Sequence, residues 1–212
     1  MKILVGVPAY NHQMFSDVTS AMLEFQQAII EHKDQAGFLF ISSPILPNVR
    51  NRIAEAAING GFDYLLFWDA DVRPHNAKEF VYDFIAAMKE KKAPICAGNY
   101  RIKKPNHDEI LFASAKDLGG FKYENYTSLP NEVIEADYVP AGLMLINVTF
   151  LKMMPPPWFQ MVESGNPSEP MPEDWWFCRR ARKEFGAKVL LDCRHGIDHF
   201  GVSTYPYVPK TT

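Results

Sequence analysis

Leu65-Leu66-Phe67-Trp68-Asp69-Ala70-Asp71 is the stretch that decides the fold. A short, unbroken apolar run reads as a strand buried on both faces, the kind found in parallel sheets. It ends in two aspartates one residue apart, and open α/β sheets hold ligands at the carboxyl ends of their strands. Two carboxylates brought together out of water raise each other's pKa. A divalent cation relieves that repulsion. Hard oxygen donors of this type suit Mg2+ or Mn2+, with substrate phosphates completing the shell. Aspartates after a strand also cap helices or make Asx-turns. Here Arg73-Pro74 breaks the chain into a loop, and the next helix is expected only near Asn76, too late for either aspartate to cap it.

Strand and helix signals alternate around this stretch. Ile3 to Val7 reads as a strand, and Ser16 as the cap of a helix whose apolar stripe is Val18, Met22, Phe25 and Ile29. Gly37 is expected to stop that helix ahead of a strand at Phe38–Ile41. A helix from about Asn48 to Asn59 places Ile53, Ala56 and Ala57 on one face and ends at Gly60-Gly61. After the two aspartates, Phe80, Val81, Phe84, Ile85 and Met88 mark another helix, followed by a short strand at Ile95–Ala97. This β-α order predicts an α/β fold with a doubly wound, mostly parallel sheet flanked by helices.

Residues 99–135 read as polar and irregular, with a turn at Gly119-Gly120. Val139 to Asn147 returns to an apolar strand, a last helix spans about Glu173 to Phe185 with Gly186 as its stop, and a strand at Val189–Leu191 precedes His195 and His199. Repeats, low-complexity tracts and linkers are absent from the sequence. At 212 residues one domain is expected, with a nucleotide-binding half at 1–98 and a smaller acceptor-side, catalytic half at 99–212.

A chain that is 47% hydrophobic and 22% charged is ordinary for a globular protein with an adequate core. The net charge of −3 gives no sign of the basic surface that nucleic-acid binders carry. Cys96, Cys178 and Cys193 are odd in number and widely spaced, without a C-x-x-C signature, and read as buried free thiols in a reducing compartment. No apolar run approaches the roughly 18 residues of a membrane span. The amino terminus reads as a strand and not a signal peptide, so a cytoplasmic location is expected.

Four further groups sit where a metal–nucleotide enzyme wants them. Pro8-Ala9-Tyr10-Asn11 follows the first strand and offers an aromatic ring and an amide to a base, without the G-x-G-x-x-G of a dinucleotide fold. Arg50-Asn51-Arg52 opens a helix, where a guanidinium and the helix terminus suit phosphate, Arg50 being the preferred binder. Pro172-Glu173-Asp174-Trp175-Trp176 opens another helix with two acids, which favour the dipole and also suit a general base. Trp175 and Trp176 beside them offer faces for a sugar, one of them being core. Near the end, an imidazole from His195 or His199 is able to complete the shell of a metal already held by an aspartate.

Taken in order, Val7-Pro8-Ala9-Tyr10-Asn11, Arg50-Asn51, Trp68-Asp69-Ala70-Asp71, Ala141-Gly142, Glu173-Asp174 and His199-Phe200-Gly201 resemble the GT-A fold glycosyltransferases across nearly the whole chain. The resemblance implies a soluble enzyme that takes a UDP- or GDP-linked sugar and needs Mn2+ or Mg2+. It implies Pro8, Ala9, Tyr10, Asn11, Arg50 and Asp69 around the donor, and Asp71 with His199, ahead of His195, on the metal. It implies Asp174 as the catalytic base of an inverting transfer, with Glu173 beside it. The chain is short for that family, and residues 99–138 match nothing in it. The acceptor hydroxyl belongs to a glycan, a protein, a small molecule or a hydroxymethylated DNA base. The bulk charge counts against DNA, but Arg101, Lys103 and Lys104 form a local basic cluster of the kind a DNA acceptor needs, read first as a solvated loop. Two other classes are a nucleotidyltransferase, which normally has a Gly-rich basic loop after the first strand, and a non-catalytic nucleotide-sugar-binding module.

Overall fold

Tyr64–Trp68, the apolar run before Asp69, forms an inner strand of a seven-stranded sheet. The computed structural model describes residues 1–103, 110–164 and 170–201. In chain order they form β1 (Lys2–Pro8), a 3-10 turn (Tyr10–His12), α1 (Ser16–Glu31), β2 (Gln35–Ile41), α2 (Leu46–Asn59), β3 (Tyr64–Trp68), β4 (Val72–Pro74), α3 (Phe80–Lys91) and β5 (Ile95–Gly98). Then follow β6 (Ala115–Gly119), β7 (Lys122–Asn125), β8 (Val133–Glu135), β9 (Leu143–Asn147), α4 (Val148–Met153), α5 (Glu173–Phe185), β10 (Val189–Asp192) and β11 (Ile197–His199).

The large sheet has the order β2-β1-β3-β9-β5-β10-β8. β2, β1, β3, β5 and β10 run parallel to one another, while β9 and the edge strand β8 run against them. The mostly parallel sheet expected from the sequence is present. Antiparallel β9, inserted between β3 and β5, is a feature that an apolar run cannot announce, because hydrophobic period carries no information about a strand's partner.

Strand alternation divides the core between the two faces. Ile3, Val5 and Val7 of β1, with Leu66 and Trp68 of β3, pack under α1 and α3. Leu4 of β1, with Leu65 and Phe67 of β3, packs under α2, α4 and α5. The fold is therefore doubly wound, with helices on both faces.

Several boundaries differ from the sequence expectation. Phe15, not Ser16, occupies the cap position of α1, and no side chain caps it. Tertiary contacts fix Phe15 instead: its amide donates to Ala70 O at 3.1 Å, and its ring stacks on Phe200. Gly37 lies inside β2 and stops nothing. α1 ends at Glu31 and the chain reverses through Lys33, in the left-handed region at φ 57°. α2 starts at Leu46, with Pro47 in its first turn, where a missing N–H costs nothing. α3 starts at Phe80, since β4 and the loop after it take up the preceding residues. α5 matches its expected span, closed by Gly186 at φ 63°, a conformation that favours glycine. The irregular middle region holds a β6–β7 hairpin that turns at Gly119-Gly120.

Candidate functional site

The D-x-D stretch is a tight turn locked from below. Trp68, fully buried, donates its indole Nε1–H to Val72 O at 2.8 Å, and the Val72 amide returns to Asp69 O at 3.2 Å. The Asp69 amide donates to Gly142 O at 2.8 Å, tying the turn to the start of β9. Gly142 itself has no room for a side chain. A Cβ there would lie 2.2 Å from the Tyr100 hydroxyl and 3.1 Å from Asp69 Oδ2, and the Gly142 amide donates to that hydroxyl at 2.9 Å. Ala141-Gly142 is thus the place where β9 passes close against the aspartate turn.

Arg50 holds a different position from the one expected of a phosphate binder. It is only 2% exposed, and its guanidinium lies 5.1 Å from the Phe67 ring centroid. Nη2 donates to both Asp69 oxygens at 3.1 Å, Nε donates to Glu173 Oε1 at 3.0 Å, and Nη1 reaches Ala141 O at 3.4 Å. The fork is spent on two carboxylates that the sequence separates by a hundred residues, so it has no face left for a phosphate. Burial alone lowers an arginine pKa, but the charges of Asp69, Glu173 and Asp174 outweigh it and keep Arg50 firmly protonated. Burial raises the Asp69 pKa, and Asp71 beside it adds to that, against the pull of Arg50. Asn51, the next residue, ties down a loop: its amide donates to Phe159 O at 2.7 Å and its oxygen accepts from the Trp158 and Phe159 amides.

Glu173 is buried on Arg50, while Asp174 beside it stays partly open. Asp174 Oδ2 accepts from the Ala141 amide at 3.1 Å and Oδ1 from the Trp175 amide at 2.8 Å. Burial, then the charge of Glu173, pushes the Asp174 carboxyl up to about 7, against Arg50 and the two amides. Trp175 is core: it stacks on Tyr138 with centroids 5.3 Å apart and its indole donates to Ala113 O. Trp176 is half-buried.

Asp71 and His199 meet because β4 and β11 pair antiparallel, with His199 opposite Val72, and because the Phe200 amide donates to Asp71 O at 2.7 Å. His199 Nδ1 lies 2.8 Å from Arg101 O, and a carbonyl only accepts, so Nδ1 carries the proton. Nε2 is then the basic nitrogen, and it lies 3.9 Å from Asp71 Oδ1. Burial lowers the His199 pKa, which favours the neutral, ligating imidazole. The carboxylate is a suitable donor for Mn2+ or Mg2+ and the oriented imidazole nitrogen suits Mn2+ better than Mg2+, with the imidazole fixed from behind as metal-bound histidines are. Among the described residues no group of three or more His, Cys, Asp or Glu is placed to hold a metal. Such an ion needs further oxygens from ligand and water, the usual situation for Mg2+ on diphosphates. His195 lies elsewhere, with Nε2 3.2 Å from Asp83 Oδ2. The other Asp71 oxygen, Oδ2, is ion-paired with the Lys103 ammonium.

Of these groups, Asp69 and Asp71 border an open cleft of about 770 Å³ at the carboxyl ends of β1, β2 and β3. Pro8, Ala9 and Tyr10 form one wall, with the Tyr10 ring 66% exposed, and Asp69, Ala70 and Asp71 form another. Asn11 lies in the 3-10 turn after Tyr10. Ser43, Pro44 and Leu46 form the third side, and Met14 and Phe15 close one end. Phe15 is held by Phe200, whose ring lies under Arg73, and Arg73 pairs with Asp17 and Asp198. This is the crevice beside the point where strand order reverses around β1, the usual ligand position in such sheets.

The chain shares the fold of A197 from STIV. The two superpose with a TM-score of 0.64 over all of this chain and 97% of that one, at 15% identity. Residues 1–349 of S. aureus TarS align over 90% of this chain and 58% of that one, at 15% identity and a TM-score of 0.49, and TarS is also known in complex with UDP. A glycosyltransferase involved in the glycosylation of the major capsid of PBCV-1 aligns over 90% of this chain and 82% of its own, at 11% identity and a TM-score of 0.42. Likeness at such identities is one of fold. No protein-family model and no curated protein sequence matches the chain.

Sequence reasoning misses Tyr100, Phe15 and the Ser43–Leu46 wall, and places Lys103 only in a basic cluster. The wall was within reach, because residues 42–46 follow β2 at the same carboxyl edge as Tyr10 and Asp69. The basic cluster does not reveal the contact of Lys103, since its partner Asp71 is fixed only by the tertiary fold. Lys104, its neighbour in the expected basic cluster, lies outside the described residues, as do 165–169 of the expected second-half loop. No described helix is long and apolar enough to cross a membrane.

Proposed function

We propose that this protein is a metal-dependent, inverting glycosyltransferase of the D-x-D type, moving a sugar from a UDP- or GDP-linked donor to a hydroxyl acceptor. One observation carries the reading: buried Arg50 ties the aspartate turn at the cleft to the Glu173-Asp174 pair. A metal-and-nucleotide end and a candidate base are thereby built into one rigid unit.

In this reading the nucleotide lies along Pro8-Ala9-Tyr10-Asn11 and Ser43–Leu46, with the Tyr10 ring offered to the base and Asp69 to the ribose or sugar. Asp71 and His199 would hold a Mn2+ or Mg2+ ion, which neutralises charge on the diphosphate. Arg50 keeps Asp69 ionised and aimed, a positioning role in place of phosphate contact. The acceptor oxygen attacks the anomeric carbon as the bond from that carbon to the diphosphate oxygen breaks, and the electron pair leaves with the diphosphate. The acceptor proton passes to Asp174. A base near pKa 7 is well matched to that task, being both ionised and basic enough at neutral pH. Glu173 raises the basicity of Asp174 and, held by Arg50, keeps it in place. Buried Cys96 and Cys178, both free thiols, fit a cytoplasmic location.

The experiment is turnover of a panel of UDP- and GDP-sugars with Mn2+, scored for hydrolysis and for transfer to glycans, small alcohols, peptides and hydroxymethylated DNA. At least one donor is expected to turn over, and Asp71→Asn is expected to weaken both metal and donor. No turnover and no donor binding, with metal affinity untouched by Asp71→Asn, would refute the proposal.

A further inference from the structure

Asp71 divides its two oxygens between two different partners. Oδ1 faces His199 Nε2 at 3.9 Å, while Oδ2 is ion-paired with Lys103. A fixed cation therefore sits on the very carboxylate expected to hold the mobile one. Both side chains are about a third exposed, 33% for Asp71 and 27% for Lys103, so the pair faces solvent, is not sealed in the core, and shares Asp71 with the lining of the cleft. An ammonium has three donors, and Asp71 occupies only part of that capacity.

Lys103 also has a reason to be where it is. The chain just before it is pinned: Arg101 bridges to Phe112, Arg101 O accepts from His199, and the Ile102 amide donates to Leu111 O at 3.0 Å. Tyr100 packs its ring on His199 with centroids 4.7 Å apart. The segment 100–103 thus presents one lysine to Asp71 from a backbone pinned at Arg101 and Ile102. A solvated surface lysine, the first reading of this cluster, needs no such anchoring.

We propose that Lys103 is a diphosphate-binding residue: its ammonium, held on Asp71 Oδ2, donates to a phosphate oxygen of the nucleotide donor and gives the site a built-in positive charge beside the divalent ion. This rests on the glycosyltransferase reading and deepens it. Lys103 neutralises charge on the diphosphate as it departs and holds the nucleotide even when no divalent ion is bound. Donor binding then has two layers, one that chelation removes and one that it leaves.

Calorimetric titration of UDP and GDP separates these layers, using the full chain with Mn2+ and again with EDTA, in the wild type, Lys103→Met and Lys103→Arg. With EDTA the wild type is expected to retain measurable binding of one nucleotide. Lys103→Met is expected to weaken it by about ten- to hundredfold, the range for loss of a charged hydrogen bond, while Lys103→Arg keeps most of it. With Mn2+ the Lys103→Met loss is expected to be smaller. Unchanged melting temperatures show that the variants are folded. Equal binding by wild type and Lys103→Met in EDTA overturns the inference while leaving the donor site standing. So does tighter nucleotide or Mn2+ binding by Lys103→Met, which would make Lys103 a plug. Binding of the nucleotide only with Mn2+ overturns it as well. Failure of both nucleotides to bind under any condition removes the glycosyltransferase reading, and this inference with it.

Discussion

Replacing Arg50 by methionine tests the hub of the site. The change keeps an unbranched apolar stem against Phe67 and deletes the guanidinium. Glu173, at 7% exposure, then loses its partner, and so does Asp69. Asp174 lies next to Glu173, so three carboxylates are left around one uncharged cavity. Removing one partner of a buried ion pair typically costs about 3–5 kcal/mol, because the remaining charge is stranded. Near neutral pH that is a large share of the roughly 5–15 kcal/mol that stabilises a typical domain. The cost must also depend on pH. Without Arg50 the folded-state pKa values of Asp69 and Asp174 rise further above their unfolded values. The folded variant then binds more protons than its unfolded chain at mildly acidic pH, and its stability grows as pH falls. Urea denaturation of wild type and Arg50→Met across the mildly acidic to mildly basic range is the assay. The stability difference is expected to shrink on acidification towards about 1–2 kcal/mol, the worth of the lost hydrogen bonds and packing. A difference below about 1 kcal/mol at neutral pH, or one that does not change with pH, would refute the role given to Arg50.

Three other outcomes follow from the same geometry. Because Asp174 must be ionised to take a proton, kcat/KM is expected to rise with pH through an apparent pKa near 7, and Asp174→Asn to lower kcat by about 10²–10⁴-fold with donor binding kept; a flat profile would contradict the base assignment. The same raised pKa makes the folded state hold a proton that the unfolded chain releases near pH 4, so the stability of Asp174→Asn relative to wild type is expected to improve as pH rises from about 4 to 7. Gly142→Ala is expected to cost about 1–3 kcal/mol by overpacking on Tyr100 and to weaken donor binding by displacing Asp69. Adding Tyr100→Phe should recover part of the stability, as seen by thermal melting, since the hydroxyl is the nearest clashing atom.

How far the sequence reveals this molecule depends on the range of the signal. The α1 stripe of Val18, Met22, Phe25 and Ile29 is buried as its spacing predicts, and the Gly186 stop of α5 is where its chemistry puts it. These are local properties. The capping expected of Ser16 fails because Phe15 is fixed by Ala70 and Phe200, partners brought in from elsewhere in the chain. The same limit applies to the site. Asp69, Asp71 and Tyr10 are recognisable as cleft residues because the carboxyl end of a strand is a position in the sequence pattern. Arg50 is recognisable as a candidate site residue but its partners are not, since a guanidinium at a helix start looks the same whether it meets a phosphate or two carboxylates. The meeting of Asp71 with His199 depends on β4 and β11, strands of three residues each, too short to carry a period. The Lys103 contact depends on the whole fold.

Backbone amide NMR during titration with UDP and with GDP, in the presence of Mg2+, tests the central claim most directly, because it asks where a nucleotide diphosphate sits. Shift changes from one of them are expected to concentrate on Ala9, Tyr10, Phe15, Ser43, Leu46 and Asp69 to Asp71, and to need higher nucleotide concentrations in Asp71→Asn. Changes centred away from the carboxyl ends of β1, β2 and β3, or none with either nucleotide, would contradict it.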